Sequence, residues 1–418
     1  MSRTTRRDFL AATAGLSLVS LAPELPRFLG ASAHCTAASA AEAAAAAADR
    51  ILVVVQLSGG NDGLNTVVPF RDERYRQARP TLAIAEADLL KLNDQLGLHP
   101  SLRGFAKLWE SGQLAVVQGI GYPNPNRSHF ESMDIWHTAR LTPAGRSTGW
   151  LGRCLDTVPD RAGHRDARAI HVGGEVQPLA LTATHSAAAS LRSADELRFE
   201  RGPEGDRWQA VWEASGASHA TGGGGLLDFV RTVSSSALAT SQQLERAKAK
   251  GNESGANYPA TDLGGKLKTV GQLIDSGLAT RIYYAQLDGF DTHATQPAAH
   301  AGLLTQVGDA LAAFQDDLVR RGHANRVMTV VFSEFGRRVA ENASQGTDHG
   351  AAAPLFVVGA ATRGGIVGEH PSLGDLDDGD LKYHTDFRRL YSGLLSQWLS
   401  VPSRSVLGED FEPLTVWS

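Results

Sequence analysis

Cysteine is almost missing from this chain. Of 418 residues only Cys35 and Cys154 carry a thiol, so a disulfide framework cannot hold the fold. Long apolar runs are missing as well: the segment from Phe9 to Ala22 ends at Pro23 and is too short to span a bilayer as a helix. There is no basic run and the net charge is −5, which argues against nucleic acid as a partner. The loop after the first apolar run has neither the G-x-G-x-x-G spacing nor a Gly-Lys-Ser/Thr ending, so it is not a dinucleotide or P-loop fingerprint. No internal repeat is visible. What remains is 42% apolar and 20% charged residues, the profile of a globular protein with one large α/β domain or two ordinary ones.

The N-terminus differs from the rest. "SRTTRRDFLAATAGLSLVSLAP" joins Arg6-Arg7 to a mildly apolar stretch beginning at Phe9-Leu10, which reads as a twin-arginine export signal. Cleavage is expected near Ala31-Ser32-Ala33 or Ala38-Ser39-Ala40, and residues 36–48 read as a disordered Ala/Ser spacer. His34 before Cys35 spoils a lipid-attachment reading. Residues 1–48 are therefore assigned to signal and spacer and 49–418 to the exported domain, in periplasm or outside the cell. The translocation machinery is its partner during export, and no transmembrane helix remains after signal removal. With Cys154 alone, the stability of that domain must come from its core, with a metal ion as an optional second source. The twin-arginine route carries folded proteins, which suits a domain that loads metal first.

Apolar runs alternate with helical spacing, as in a doubly wound, mostly parallel sheet flanked by helices. "ILVVVQL" (51–57) is continuous, the mark of a strand covered on both faces. Further strands are expected at 114–118, 167–172, 280–287, 326–333 and 354–359. Leu304, Val307, Leu311, Phe314 and Leu318 recur at three and four residues, predicting a helix over 301–320 with Asp316, Asp317 and Arg320 wet. Another helix is expected from Thr385-Asp386 to Leu399, with Phe387, Leu390, Leu394, Leu395 and Trp398 inward. Residues 216–224 read as a flexible break between helices at roughly 226–249 and 262–277. Residues 183–277 are taken as a mainly helical insertion or cap.

Polar clusters stand at the strand ends, where open α/β sheets place their ligands. "SGGNDGLN" (58–65) offers Asn61 and Asp62 on a tight turn, which is also what an ordinary turn uses. In "GYPNPNRSHFESMDIW" (121–136), Ser128 opens a helix beside Arg127 and His129. It reads either as a capping box with Glu131 or as a nucleophile facing an anion. "AQLDGFDTHATQ" (285–296) places Asp288, Asp291 and His293 within six residues, a two-ligand metal hook. "FSEFG" ends the next strand on Glu334, and "GTDHG" sets Asp348-His349 between glycines, with space around the imidazole. Arg337 reads as an anion partner or as a surface arginine. Four such clusters on one sheet edge converge on one crevice.

In order, these motifs resemble the alkaline phosphatase and sulfatase superfamily, most clearly over 283–359. More narrowly, "LSGGNDGLNTVVP", "GYPNPNRSHFESMDIW", "SEFGRR" and "GTDHG" make the chain similar to the twin-arginine-exported family catalogued as domain of unknown function 1501. The resemblance implies an alkaline-phosphatase-like core with one or two divalent metals. Ser128 then lies at the place of the nucleophile, and Asn61 or Asp62 at the place of the first metal-binding Asp. Where the superfamily has Asp-His, this chain has Glu334-Phe335; Glu334 keeps a carboxylate and Phe335 has no donor, which puts a two-metal clamp in question.

The sequence therefore points to an exported, metal-dependent hydrolase of phosphate or sulfate esters, acting on a small-molecule or polymer ester. Ser128 or water attacks, and Arg127 and the Gly59-Gly60 backbone steady the anion. The metal set is Asp62, Asp288, Asp291, His293, Glu334 and His349, with Asn61 and His129 on the substrate. Zinc is the first expectation for the metal, with manganese, calcium or magnesium as alternatives. The competing reading is a non-catalytic binding or scaffold protein on a degenerate form of this fold. A carbohydrate-binding module rests only on the seven tryptophans.

Overall fold

The computed structural model describes residues 49–158, 166–193, 240 and 255–417, of which Arg50 onward is one compact unit. The leader, the break at 216–224 and most of the helix expected at 226–249 lie outside the described residues. In chain order the main elements are β1 (Ile51–Leu57), α1 (Arg103–Glu110), β2 (Leu114–Gly121), α2 (His129–Thr138) and α3 (Trp150–Thr157). Then come β3 (Ala169–Val172), β4 (Ala189–Leu191), α4 (Asp262–Asp275), β5 (Ile282–Leu287) and α5 (Gln296–Arg320). The chain closes with β6 (Val327–Phe332), β7 (Ala353–Val358), β8 (Gly365–Val367), β9 (Thr385–Asp386) and α6 (Phe387–Gly393).

The nine strands form one mixed, mostly parallel sheet in the order β8-β2-β7-β6-β1-β5-β3-β4, with β9 also paired to β2. β1 lies at its centre, parallel to β5 and β6. Its side chains divide with period two. Ile51, Val53, Val55 and Leu57 enter the core under α1, α4 and α5. Leu52 and Val54 enter the opposite core, under α2, α3 and α6. Helices on both faces explain why the run is apolar throughout.

Only β7 runs against its neighbours, antiparallel to β6 and to β2. This reversal matters for the site. The carboxyl ends of β1, β2, β5 and β6 open on one edge of the sheet, and β7 brings its amino end to that same edge. The segment just before it, Asp348-His349, thereby joins the loops that follow the other four strands.

Two helix expectations change in detail. Asp317 is buried, not wet: Tyr258 donates to its carboxylate at 2.8 Å and Arg321 at 2.7 Å. The C-terminal helix begins at Phe387 because Thr385 and Asp386 pair with β2, and the Asp386 carboxylate caps it by accepting from the Arg388 amide at 2.9 Å. Its last turn, Leu394–Trp398, is a π-helix. The inward residues expected there are buried. Of residues 183–277, Ala189–Leu191 extends the sheet, and α4 contributes Leu263, Leu267, Val270, Leu273 and Ile274 to the core it shares with α5. Among the described residues no helix is long and apolar enough to cross a membrane.

Candidate metal centre

Three of the expected residues meet at one point. His293 Nε2 lies 2.9 Å from His349 Nε2 and 3.0 Å from Asp291 Oδ1, and His349 Nε2 is 3.0 Å from the same oxygen. His129 Nε2 stands 3.4 Å from Asp291 Oδ1, buried and without a hydrogen bond. Ligands around a tetrahedral ion at ~2.0–2.1 Å stand about 3.3 Å apart, close to these four distances, and the ligand atoms of His129, Asp291 and His349 all lie within 4.8 Å of one another.

The ring orientations follow from what holds the other nitrogens. His349 Nδ1 faces the Arg127 carbonyl at 2.7 Å, and a carbonyl oxygen can only accept. His129 Nδ1 faces Glu334 Oε1 at 2.8 Å, and His293 Nδ1 faces Asp348 Oδ1 at 3.2 Å. Each Nδ1 is therefore the donor, and in the neutral rings each Nε2 presents a lone pair toward Asp291. Oxygen partners behind imidazoles are how proteins orient metal-binding histidines. Converging lone pairs repel one another unless a proton or a cation lies between them. The donor set and the orphaned His129 nitrogen both fit a metal ion.

Glu334 is thus not among the converging groups. Its side chain is 1% exposed, and it accepts from the Gly59 amide at 2.8 Å as well as from His129. Phe335 packs its ring 4.9 Å from that of His129 and 4.8 Å from that of His349, forming a wall behind both. In the metal-free protein the hydrogen bond that His129 donates to Glu334 raises the His129 pKa against the opposing effect of burial. Asp291 is brought down to about 2: its partial burial pushes upward, but Arg337 and His349 outweigh it.

Arg337 is not a surface arginine. Its buried guanidinium donates to Asp291 at 2.7 Å and to the carbonyls of Gly60, Thr347, Phe290 and Gly59. It ties the loops after β1, β5 and β6 to one another. Gly59 is required where these loops touch: its φ is +115°, and a Cβ there would lie 2.4 Å from the Asp291 nitrogen.

The remaining expectations are corrected by their partners. Asp62 is enclosed and carries a buried ion pair, with Arg79 Nη1 at 2.5 Å and Gln296 Nε2 at 2.5 Å. Burial pushes its pKa upward, but Arg79 more than compensates, so Asp62 stays charged and committed to structure. Asn61 is buried too, its side chain accepting from His300 at 3.0 Å and Thr66 at 3.1 Å. Asp288 is exposed and outside the cluster. Arg127 contributes its carbonyl, while its guanidinium turns to Asp380 at 2.6 Å and Asp378 at 3.0 Å. Ser128 is exposed and makes no side-chain cap, and Glu131 pairs with Arg146 at 2.7 Å, so the capping box is not formed. His129, expected on the substrate, belongs with the converging donors.

A family model described as "Protein of unknown function (DUF1501)" matches residues 49–394, and the chain belongs to that family. No curated protein matches it. Among solved structures it is similar to the PsFucS1 sulfatase from Pseudoalteromonas sp. at 10% identity, over 86% of this chain and 68% of that one, with a TM-score of 0.38. It is also similar to a protein in the alkaline phosphatase superfamily from Vibrio parahaemolyticus (7% identity, 77% and 63%, TM-score 0.32). The alkaline phosphatase from the Antarctic bacterium TAB5 matches at 10% identity, over 76% and 94%, with a TM-score of 0.28. These are remote likenesses.

Proposed function

We propose that this protein is an exported, metal-dependent hydrolase of phosphate or sulfate esters with a single divalent ion. The observation that carries the reading is the convergence of three imidazole Nε2 atoms on one oxygen of Asp291, each ring oriented from behind by an oxygen acceptor. His129, Asp291 and His349 would hold the ion, with His293, 2.9 Å from His349, as the fourth donor. Three nitrogens and one carboxylate suit zinc better than magnesium or calcium, which favour all-oxygen sets. Such an ion supplies Lewis-acid polarisation of an ester oxygen.

The chain's own groups divide the remaining work. Ser128 lies between Arg127, whose carbonyl holds His349, and His129; its exposed hydroxyl carries no capping bond and would be the attacking group. The Arg127 guanidinium is committed to Asp378 and Asp380, and the Gly59 amide to Glu334, so neither is free to steady an anion. Export by the twin-arginine route rests on Arg6-Arg7 and Phe9-Leu10. A binding or scaffold protein is the second reading. It is favoured by Phe335, a ring without a donor in the wall of the site.

Metal content by mass spectrometry tests the proposal, on the purified chain beside His349→Ala and His293→Ala. About one equivalent in the wild type and loss in both variants is expected, followed by turnover of aryl phosphate or aryl sulfate. Metal without turnover of either ester would favour the binding protein. A wild type that stays metal-free after growth in added zinc and manganese would end the hydrolase reading.

A further inference from the structure

We infer that Gln296 is a positioning residue for this centre: it sets the separation of the two loops that carry Asp291, His293 and His349. The inference rests on the metal reading above. Gln296 is fully buried at the first position of α5, and its amide is used at both ends. Oε1 accepts from Thr292 Oγ1 at 3.1 Å and from Thr347 Oγ1 at 2.7 Å, while Nε2 donates to Asp62 at 2.5 Å. Thr292 stands between the ligands Asp291 and His293, and Thr347 two residues before His349. One carbonyl oxygen therefore bridges the two ligand loops, and the amide nitrogen ties them to the buried Asp62–Arg79 pair.

The backbone repeats the connection. The Gln296 amide donates to the Gln345 carbonyl at 2.9 Å and the Thr347 amide to the Thr292 carbonyl at 3.3 Å. Thr295 supports this junction in the left-handed region, at φ +46°, which a β-branched residue seldom adopts. The first turn of a 25-residue helix is a rigid base for such a clamp. Gln296 acts on the centre through these threonines and not as a ligand, so its loss should act on geometry.

The test uses the full chain with Gln296→Ala and the milder Thr347→Val. Zinc affinity is read by chelator competition, and hydrogen exchange is read in the metal-free proteins. The expected result is zinc affinity weakened about 10–100-fold, the range for losing a group behind a metal ligand. Amide exchange should quicken in both 291–293 and 347–349 while Val53–Val55 in β1 stays as protected as before. A merely structural role would lower protection in β1 as well and leave the affinity of the folded fraction unchanged; that result, or loosening of one loop alone, overturns the inference. A wild-type chain that takes up no zinc removes the metal reading and this role with it, an outcome distinct from normal uptake in both variants.

Discussion

Replacing Arg79 by methionine tests the account of the site's base. Arg79 and Asp62 are both 0% exposed, 2.5 Å apart. The guanidinium also donates to Asn65 at 2.8 Å and to the carbonyls of Arg338 and Val339 at 3.0 Å. Methionine keeps much of the volume and none of the donors. Asp62 would retain only Gln296 and the Asn65 amide as partners. Removing one member of a buried ion pair costs about 3–5 kcal/mol, because the other is left charged and unmatched. With an unfolding entropy of ~2.1 cal/mol/K per residue over roughly 370 residues, about 4 kcal/mol lowers the melting temperature by about 5 °C.

The pH dependence gives the sharper check. In the wild type the Asp62 pKa is lowered, so it contributes stability above about pH 4 that is lost as pH falls through its folded value. Without Arg79, burial dominates and the carboxyl is raised, which costs stability above that pH and little below it. The gap between variant and wild type, from urea unfolding, should therefore be widest near neutrality, narrow toward about pH 4, and close only as pH falls through the folded value of Asp62. Asp62→Asn combined with Arg79→Met should cost less than the two singles added. A gap below about 1 kcal/mol at neutral pH, or one independent of pH, would refute the buried-pair argument.

Glu334→Gln removes the partner that raises His129. A raised histidine stabilises below its unfolded value of about 6.5 and stops doing so as pH rises through the folded value, so the metal-free variant should lose more against wild type near pH 5.5 than near pH 8.5. Equal losses at both pH values in urea titrations would deny that coupling. Gly346→Ala would put a Cβ 2.2 Å from the His293 backbone; metal content should fall and stability drop by about 1–3 kcal/mol in thermal melts, and an unaffected variant would mean that the two ligand loops separate readily. Cys154 is buried, and burial pushes its thiol up to about 12. It should resist iodoacetamide at mild alkaline pH until the chain is denatured, and native labelling read by mass spectrometry would reveal opening of α3.

Six of the nine strands were legible because each is a local apolar run, and β1 matches the expected bounds at both ends; β4, β8 and β9 are two or three residues long and were not expected. Strand direction was not, since nothing local in "PLFVVG" distinguishes an antiparallel strand from a parallel one. That His349 belongs with Asp291 and His293 could be inferred from the crowding of polar residues at strand ends. The fates of Asp62 and Asp291 could not. Both follow apolar strands, and what separates them is Arg79, 17 residues beyond Asp62 at the end of a short helix (Glu73–Ala78), against Arg337, 46 residues beyond Asp291. His129 was assigned to substrate because its partner Glu334 lies 205 residues away. The one usable signal was that Glu334 closes a buried strand and needs a partner of its own.

Charge matching bears on how many ions such a centre takes. Asp291 is neutralised by the buried Arg337, and Asp62 by the buried Arg79. With the three imidazoles neutral, the groups still unmatched around the convergence point are Glu334 and Asp348, each resting on an imidazole Nδ1. Two negative charges balance one divalent cation. A second ion would leave two positive charges uncompensated in a partly buried site. Metal-to-protein stoichiometry in saturating zinc therefore decides the matter. A plateau at one equivalent agrees with this charge count, and a plateau at two would refute it.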